Sequence, residues 1–419
     1  MKRSIINYSI FFLVFLGAAS QASAQTLEEY LKIASENNPE VKAAYSRFEA
    51  ALQQSPQVSS LPDPTLTIGA FGRMMQSDMG AEEAKLSLMQ MFPWFGTLGA
   101  MEDAANLTAE ARFQEYLDIR NQVSLKVKTA YAELFLVSRT VELQKENLDI
   151  LQSYKELALS GLRSGNSPMV NVVKIDIEFE AAATEVEILQ ERLVPLKVNF
   201  NLLLNRSVEE EVVVGDSLIF PLPEEFEMSE GLEKHPRIQM LQKEKEVYQK
   251  EQEIARKQGM PQLGLGLDYT INSKTPIGMP DMNGQDAYMP MLSVSLPIFR
   301  KKYTAARKEA ELMEEAAQHQ QTVQMNELTS SFEMTKYELR TARKLLDLYQ
   351  RQIKSSEQAN ELLISAFSNS SGNFEEVLDM NQTILLLKMQ QLQALAKGFT
   401  AQAQMDYLFS KTSGNEQEQ

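Results

Sequence analysis

The chain has 419 residues, no cysteine, two histidines and a formal net charge of −16 at pH 7. Without cysteine there can be no disulfide framework, no thiolate chemistry and no amino-terminal lipid anchor through cysteine. Strong acidity, with no basic patch interleaved with aromatic residues, excludes nucleic acid as a partner.

At the start, Lys2-Arg3, the apolar run from Ile10 to Leu16 and Ala22-Ser23-Ala24 predict a secretory signal peptide over residues 1–24, cleaved before Gln25. Its removal takes the formal charge to −18. The run is too short to cross a bilayer, and no later stretch approaches the roughly 18 apolar residues of a membrane helix. A mature protein of this kind that crosses a membrane must use strands.

Beyond the signal the chain reads as a duplication. Asn38-Pro39 is followed after 25 residues by Pro64, and His235-Pro236 after 25 residues by Pro261. Phe92-Pro93-Trp94-Phe95 then answers Leu296-Pro297-Ile298-Phe299, and Asn171-Val172-Val173-Lys174 answers Glu376-Val377-Leu378-Asp379. The offset grows from 197 to 204 and 205 residues, which places one insertion between Pro261 and Pro297. Two structural repeats follow, 25–204 and 231–409. Between them, 205–230 carries Val212-Val213-Val214 and Pro221-Leu222-Pro223, which predicts a small mixed linker element wrapped around the helices. Residues 410–419 form a polar tail expected to be disordered.

Each repeat opens with a short helix and two strands. Leu66, Ile68 and Ala70 alternate with Thr65, Thr67 and Gly69; Leu86 and Leu88 alternate with Lys85 and Ser87. Leu263, Leu265, Leu267 and Tyr269 alternate with Gly264, Gly266 and Asp268, and Leu292, Val294 and Leu296 alternate with Ser293 and Ser295. Strands are expected at about 65–72, 84–92, 262–270 and 288–297, each near the length of a tilted membrane strand with one apolar face. Prolines 64, 93, 261 and 297 lie at their boundaries, where a missing amide donor does least harm.

Long helices follow, at about 97–163 and 300–368. Neither Ala100 to Ser160 nor Lys301 to Ser371 contains glycine or proline. Helices of 60 to 70 residues, roughly 90–105 Å, need a lateral partner throughout. A heptad seam supplies it: Val123, Val127, Ala130, Leu134, Val137, Val141, Gln144, Leu148, Leu151, Lys155, Ala158 and Leu162 in the first repeat. Leu328, Phe332, Thr335, Leu339, Ala342, Leu346, Tyr349, Ile353, Ser356, Asn360, Leu363 and Phe367 repeat it in the same phase. Polar turns, Arg163 to Pro168 and Ser368 to Asn373, then lead to returning helices at about 169–204 and 374–408. Pro195 is expected to kink the first of these.

The duplicated order of short helix, two strands, long helix, turn and returning helix resembles the TolC-type outer-membrane efflux proteins, including their heavy-metal-exporting branch. The resemblance covers essentially the whole mature chain. Its carriers are the Asn-Pro and His-Pro helix starts, Leu61-Pro62-Asp63-Pro64, Phe92-Pro93-Trp94-Phe95-Gly96 and Gly372-Asn373-Phe374-Glu375-Glu376-Val377-Leu378-Asp379. It implies a mainly α fold with membrane β: a homotrimer whose four strands per chain close a 12-stranded β-barrel continuing into an α-helical coiled-coil periplasmic tunnel. It also implies an exit duct in the outer membrane, in contact with its lipid. A periplasmic adaptor (membrane fusion protein) would join that duct to an inner-membrane pump of the resistance-nodulation-division type. Four strands cannot close a barrel alone, which needs about eight, so several chains must share one wall.

Site expectations follow. Glu376 and Asp379, three apart on the returning helix, match the family's acidic constriction, where threefold symmetry gathers six carboxylates; Asn171 and Lys174 hold the equivalent positions of the first repeat. Lys174 is expected to pair with Asp379 or Glu376. Gly161, Arg163, Ser164 and Gly165, with Asn369, Ser370 and Gly372, are the expected adaptor-contacting tips. Methionines crowd the strand connections and their borders: Met74, Met75, Met79, Met89 and Met91, then Met279, Met282, Met289 and Met291. Thioethers bind soft ions such as Cu(I) and Ag(I), which makes Met74, Met75, Met79, Met279 and Met282 soft-metal candidates beside their ordinary use as apolar filler. The exported compound is thus a metal ion or else a drug. His235 is read as a helix cap and His319 as a coiled-coil face residue. No nucleophile-base pair, metal-ligand spacing or phosphate-binding glycine loop occurs, so neither catalysis nor a cofactor is expected. The competing reading, a secreted elongated coiled-coil scaffold, explains the helices and the acidity but not four strands with one apolar face each.

Overall fold

The computed structural model describes residues 26–77, 79–165, 167–218, 228–276, 281–368 and 373–410, with the side chains of 73–77 and 228–230 outside the description. The expected signal peptide, residues 1–24, and the tail from 411 on lie outside it too. In chain order the elements are α1 (Leu27–Asn37), α2 (Pro39–Leu52), α3 (Gln54–Ser59), β1 (Thr65–Ser77), β2 (Gly80–Phe92), α4 (Thr97–Arg163) and α5 (Met169–Leu203). The second repeat supplies α6 (Met228–Glu233), α7 (Pro236–Gln258), β3 (Gln262–Ser273), β4 (Ala287–Ser295), α8 (Lys301–Ser368) and α9 (Phe374–Leu408). The chain divides into two compact units. One is built from Met1–Lys42, Arg120–Met228 and Thr329–Gln419, the other from Ala43–Ile119 and Ser229–Leu328.

The paired Asn-Pro and His-Pro motifs are buried helix caps. Asn38 Oδ1 accepts from Glu40 N at 2.8 Å while Asn38 Nδ2 donates to the Leu203 carbonyl at 2.8 Å. His235 Nδ1 accepts from Arg237 N at 3.2 Å. In both, proline takes the first helical position, where its missing amide costs nothing. Burial drives the His235 imidazole down to a pKa of about 4; the neighbouring Asp118 carboxylate opposes this and Arg237 adds to it.

In the first unit the heptad seam of α4 is buried at Val123, Val127, Leu134, Val137, Val141, Gln144, Leu151 and Ala158. Two polar layers interrupt the apolar packing. Asn381 Nδ2 donates to Asn147 Oδ1 at 2.8 Å between α9 and α4, and Gln144 Nε2 reaches the Met389 sulfur at 3.9 Å. Buried amides with one good partner penalise any slip of register. The α8 seam is buried through Ala342, but Leu346, Tyr349, Ile353 and Phe367 are only half-buried within the single chain. Residues 205–218 contain no helix or strand. Instead of pairing as a strand, Val213 exchanges bonds with the Tyr30 hydroxyl, at 3.0 Å from its N–H and 3.2 Å to its carbonyl, and Gly215 N donates to the Tyr131 hydroxyl at 2.9 Å.

In the second unit the strands form one antiparallel sheet in the order β1-β2-β3-β4. The central pairing, β2 with β3, joins the two repeats through partners such as Leu88 with Leu267 and Phe92 with Leu263. Strand lengths differ from those the alternation predicts. β1 and β2 run to 13 residues each, with register shifts between Ala70 and Met75 and between Glu82 and Ala84. Alternation records side chains, and backbone pairing continues past the last apolar one. β4 stops at Ser295, short of Pro297, which has no amide to donate.

The β1–β2 turn depends on Gly80, whose φ is +119° and whose added Cβ would stand 2.3 Å from the Ser273 carbonyl oxygen. Gly80→Ala is therefore expected to cost roughly 1–3 kcal/mol from the backbone conformation alone, with the clash in addition. A lowered yield of assembled protein and a lower melting temperature in detergent are the readouts; an unchanged melt contradicts this account of the turn.

Candidate functional site

Two places in the fold are candidates for function, one in each unit. In the sheet, Leu88, Leu265, Leu267, Tyr288, Leu292 and Val294 are exposed, and register places them all on one face. The opposite face carries Thr67, Lys85, Ser87, Gly264, Gly266 and Asp268. Asp268 is 2% exposed and binds the Lys85 ammonium and the Ser87 hydroxyl across the repeat junction. A soluble sheet buries its apolar face and wets its polar one. This sheet does the reverse, as a strand set bounded by lipid must. Just beyond the end of β2 stands the exposed Trp94–Phe95 pair, of the aromatic kind that sits at membrane borders.

In the other unit the tip of the first hairpin is closed by local bonds. Gly165 takes φ +76°, its N–H donates to Leu162 O at 3.1 Å, and Ser167 N donates to Gly161 O at 3.2 Å. Arg163, Ser164 and Gly165 are exposed and Gly161 is half-buried. A Cβ at Gly161 would come within 2.9 Å of the Ser167 Cβ, so this glycine is set by close approach. Asn369, Ser370 and Gly372 lie outside the described residues. Beneath the tips, α4, α5 and α9 pack around Leu151, Ala158, Val172, Ile175, Phe374 and Val377.

The acidic residues divide in a way that spacing did not anticipate. Lys174 Nζ pairs with Glu375 Oε1 at 2.7 Å, and not with Glu376 or Asp379. The reason is helical: Glu375 and Glu376 point about 100° apart, so packing α5 against α9 brings Lys174 to one of them only. Both members of the pair are about half-exposed, so it contributes under about 1 kcal/mol, and the apolar cluster must do most to hold the hairpins together. Asn171 Nδ2 donates to Ser167 Oγ at 3.1 Å and so serves its own turn. Glu376 and Asp379 are exposed and line a groove of about 660 Å³ with Ala359, Leu362, Leu363 and Ala366 of α8.

The methionine candidates do not form one loop group. Met74 and Met75 belong to β1 rather than to a connection, and their side chains lie outside the description, as does Met279. Met79 sits in the β1–β2 turn, where its carbonyl accepts from Gly284 N at 2.7 Å, and Met282 is exposed in the β3–β4 connection. Among the described residues no group of three or more His, Asp or Glu side chains is placed to hold a metal ion.

An apolar-outward sheet feeding helices of 67 and 68 residues, each with a returning partner, defines a strand-and-helix export channel of the bacterial envelope. The chain belongs to the outer membrane efflux protein family, whose model matches residues 30–194 and 228–408; this is a family of channels and not of enzymes. Solved structures agree in fold. The outer membrane protein VceC from Vibrio cholerae superposes with a TM-score of 0.72 at 17% identity, over 91% of this chain and 95% of that one. A membrane protein from Pseudomonas aeruginosa gives 0.76 at 17%, over 91% and 93%. The open state of the MtrE outer membrane channel of Neisseria gonorrhoeae gives 0.72 at 16%, over 92% and 89%. No curated protein matches the sequence.

Proposed function

We propose that the chain is the exit duct of a tripartite efflux system, working as a homotrimer in the outer membrane. The observation that carries this reading is the exposed apolar face of a sheet in which, among the described residues, the outer edges of β1 and β4 are unpaired. Pairing β1 of one protomer with β4 of the next closes twelve strands. That closure covers both edges and leaves Leu265 and Leu292 to lipid. The half-buried lower seam of α8 supports the same assembly, since a neighbouring protomer would complete its packing. A soluble scaffold has no use for such a sheet.

In this reading residues 1–24 direct export and are removed. The tips, Gly161, Arg163, Ser164 and Gly165 with Asn369, Ser370 and Gly372, receive the periplasmic adaptor, which couples the duct to an inner-membrane pump of the resistance-nodulation-division type. Glu376 and Asp379 of three protomers ring the periplasmic constriction, favouring cations and repelling one another. Asn171 and Lys174 belong to the closed tip, Lys174 through its bond to Glu375. The cargo is a soft metal ion or a drug.

Membrane fractionation tests the duct: a detergent-extracted trimer is expected, and a soluble monomer rules it out. Single-channel recording tests the gate. Glu376→Gln with Asp379→Asn is expected to reduce cation selectivity severalfold and to relieve block by multivalent cations. Unchanged conductance and block would remove these residues from the gate.

A further inference from the structure

Methionines stand on the polar face of the sheet, where lipid-facing filler is not needed. Register puts Gly264 of β3 between Met91 of β2 and Ser293 of β4, and Gly266 between Met89 and Met291. All of these share the face of Ser87 and Asp268. The two glycines leave a trench, and the β2 thioethers lie over it. A Cβ on Gly264 would stand 2.6 Å from the Met91 sulfur and 3.3 Å from the Met89 sulfur; one on Gly266 would stand 3.1 Å from the Met89 sulfur and 2.8 Å from its methyl carbon. Both sulfurs therefore come within 3.3 Å of a single point. Met291 faces the same trench from β4, with no side chain at Gly266 to separate it from Met89.

We infer that Met89, Met91 and Met291 form a thioether site that takes a soft monovalent cation, Cu(I) or Ag(I), as passing cargo on the channel side of the sheet. This rests on the exit-duct reading, since only there does the polar face line a path. Thioether sulfur is neutral and polarisable, and two or three such donors suit a soft d10 cation while offering little to Na⁺, K⁺ or Mg²⁺. Neutral ligands hold the ion without trapping it by charge, as a transit station requires. The glycines keep the sulfurs adjacent; any larger residue at 264 or 266 would wedge them apart. The site differs from the connection methionines Met79 and Met282.

The test is Ag(I) titration of the full-length protein in detergent by calorimetry. Replacing Met89, Met91 and Met291 together by leucine preserves apolar volume. It is expected to weaken the tightest Ag(I) event by more than the roughly 10- to 100-fold that loss of supporting residues costs a metal site. Met79→Leu with Met282→Leu should leave that event intact. Silver-edge X-ray absorption on the unsubstituted protein should give two or three sulfur neighbours, a readout independent of how the variant folds. Undiminished binding by the triple variant, loss of binding in the connection variant, or a silver shell without sulfur overturns the assignment. Membrane fractionation is carried out alongside. Recovery of the unsubstituted protein as a soluble monomer would sink the duct, while silver binding reports on the sulfur site alone.

Discussion

Arginine in place of Leu265 or Leu292 is expected to abolish recovery of the chain from the membrane fraction. These two residues are register partners within β3 and β4, 56% and 71% exposed, on the face assigned to lipid. An arginine near the bilayer midplane of a strand costs about 2–4 kcal/mol, and threefold assembly repeats the cost in every protomer. Thr67→Arg is the contrasting change. It lies on the opposite face, in the same row as Ser87 and the Asp268 carboxylate, and should assemble normally. Equal membrane yields for the Leu265 and Thr67 variants would mean that the two faces are assigned the wrong way round.

Acid should destabilise the protein through His235, and His235→Asn should remove that component. The imidazole has an ordinary pKa of 6.5 and is lowered to about 4 in the fold, chiefly by burial. Between these values the unfolded chain binds a proton that the folded chain refuses. The stabilising contribution is complete above pH 6.5, shrinks as pH falls, and is gone once pH passes below about 4. The full span corresponds to about 3 kcal/mol per protomer. Asparagine caps the equivalent helix of the first repeat from Asn38, so it can keep the bond to the backbone N–H without titrating. The measurement is the drop in melting temperature between pH 7.5 and 4.5 for the two proteins. Carboxylates such as Asp118 titrate in both, and the difference between the drops isolates the histidine. Identical drops would show that His235 does not carry the acid sensitivity. His235→Ala removes both cap and titration: above pH 6.5 it should lower stability by about 1 kcal/mol through the lost cap, before any cavity cost, and it too should lack the histidine's acid sensitivity.

Much of the architecture is a matter of local chemistry and could be read directly. A stretch without glycine or proline and with four-three apolar spacing has one good backbone conformation, which is why the long helices over Thr97–Arg163 and Lys301–Ser368 were legible. Alternating Leu with Gly, Ser and Thr marks a strand with one apolar face, and the duplicated order of these segments points to the channel family. The tips were legible as turns, since Gly165 needs a left-handed backbone. Which residue meets which was not legible. Glu375 and Glu376 are equivalent in spacing terms, and only the packing of Val172 and Ile175 against Phe374 and Val377 selects Glu375 for Lys174. Likewise Met89 and Met91 look like the borders of a connection until β3 places glycines beside them.

By itself, then, the sequence determined the period of every long segment, the apolar face of each strand and the repeat, because these depend on residues within one or two turns or pleats of each other. The tertiary structure decided the partners. β2 pairs with β3 across the repeat junction, so Ser87 meets Asp268 and the thioethers of one repeat lean over the glycines of the other. Periodicity specifies which side of a segment is sticky, whereas register between segments nearly two hundred residues apart is settled only by packing them together.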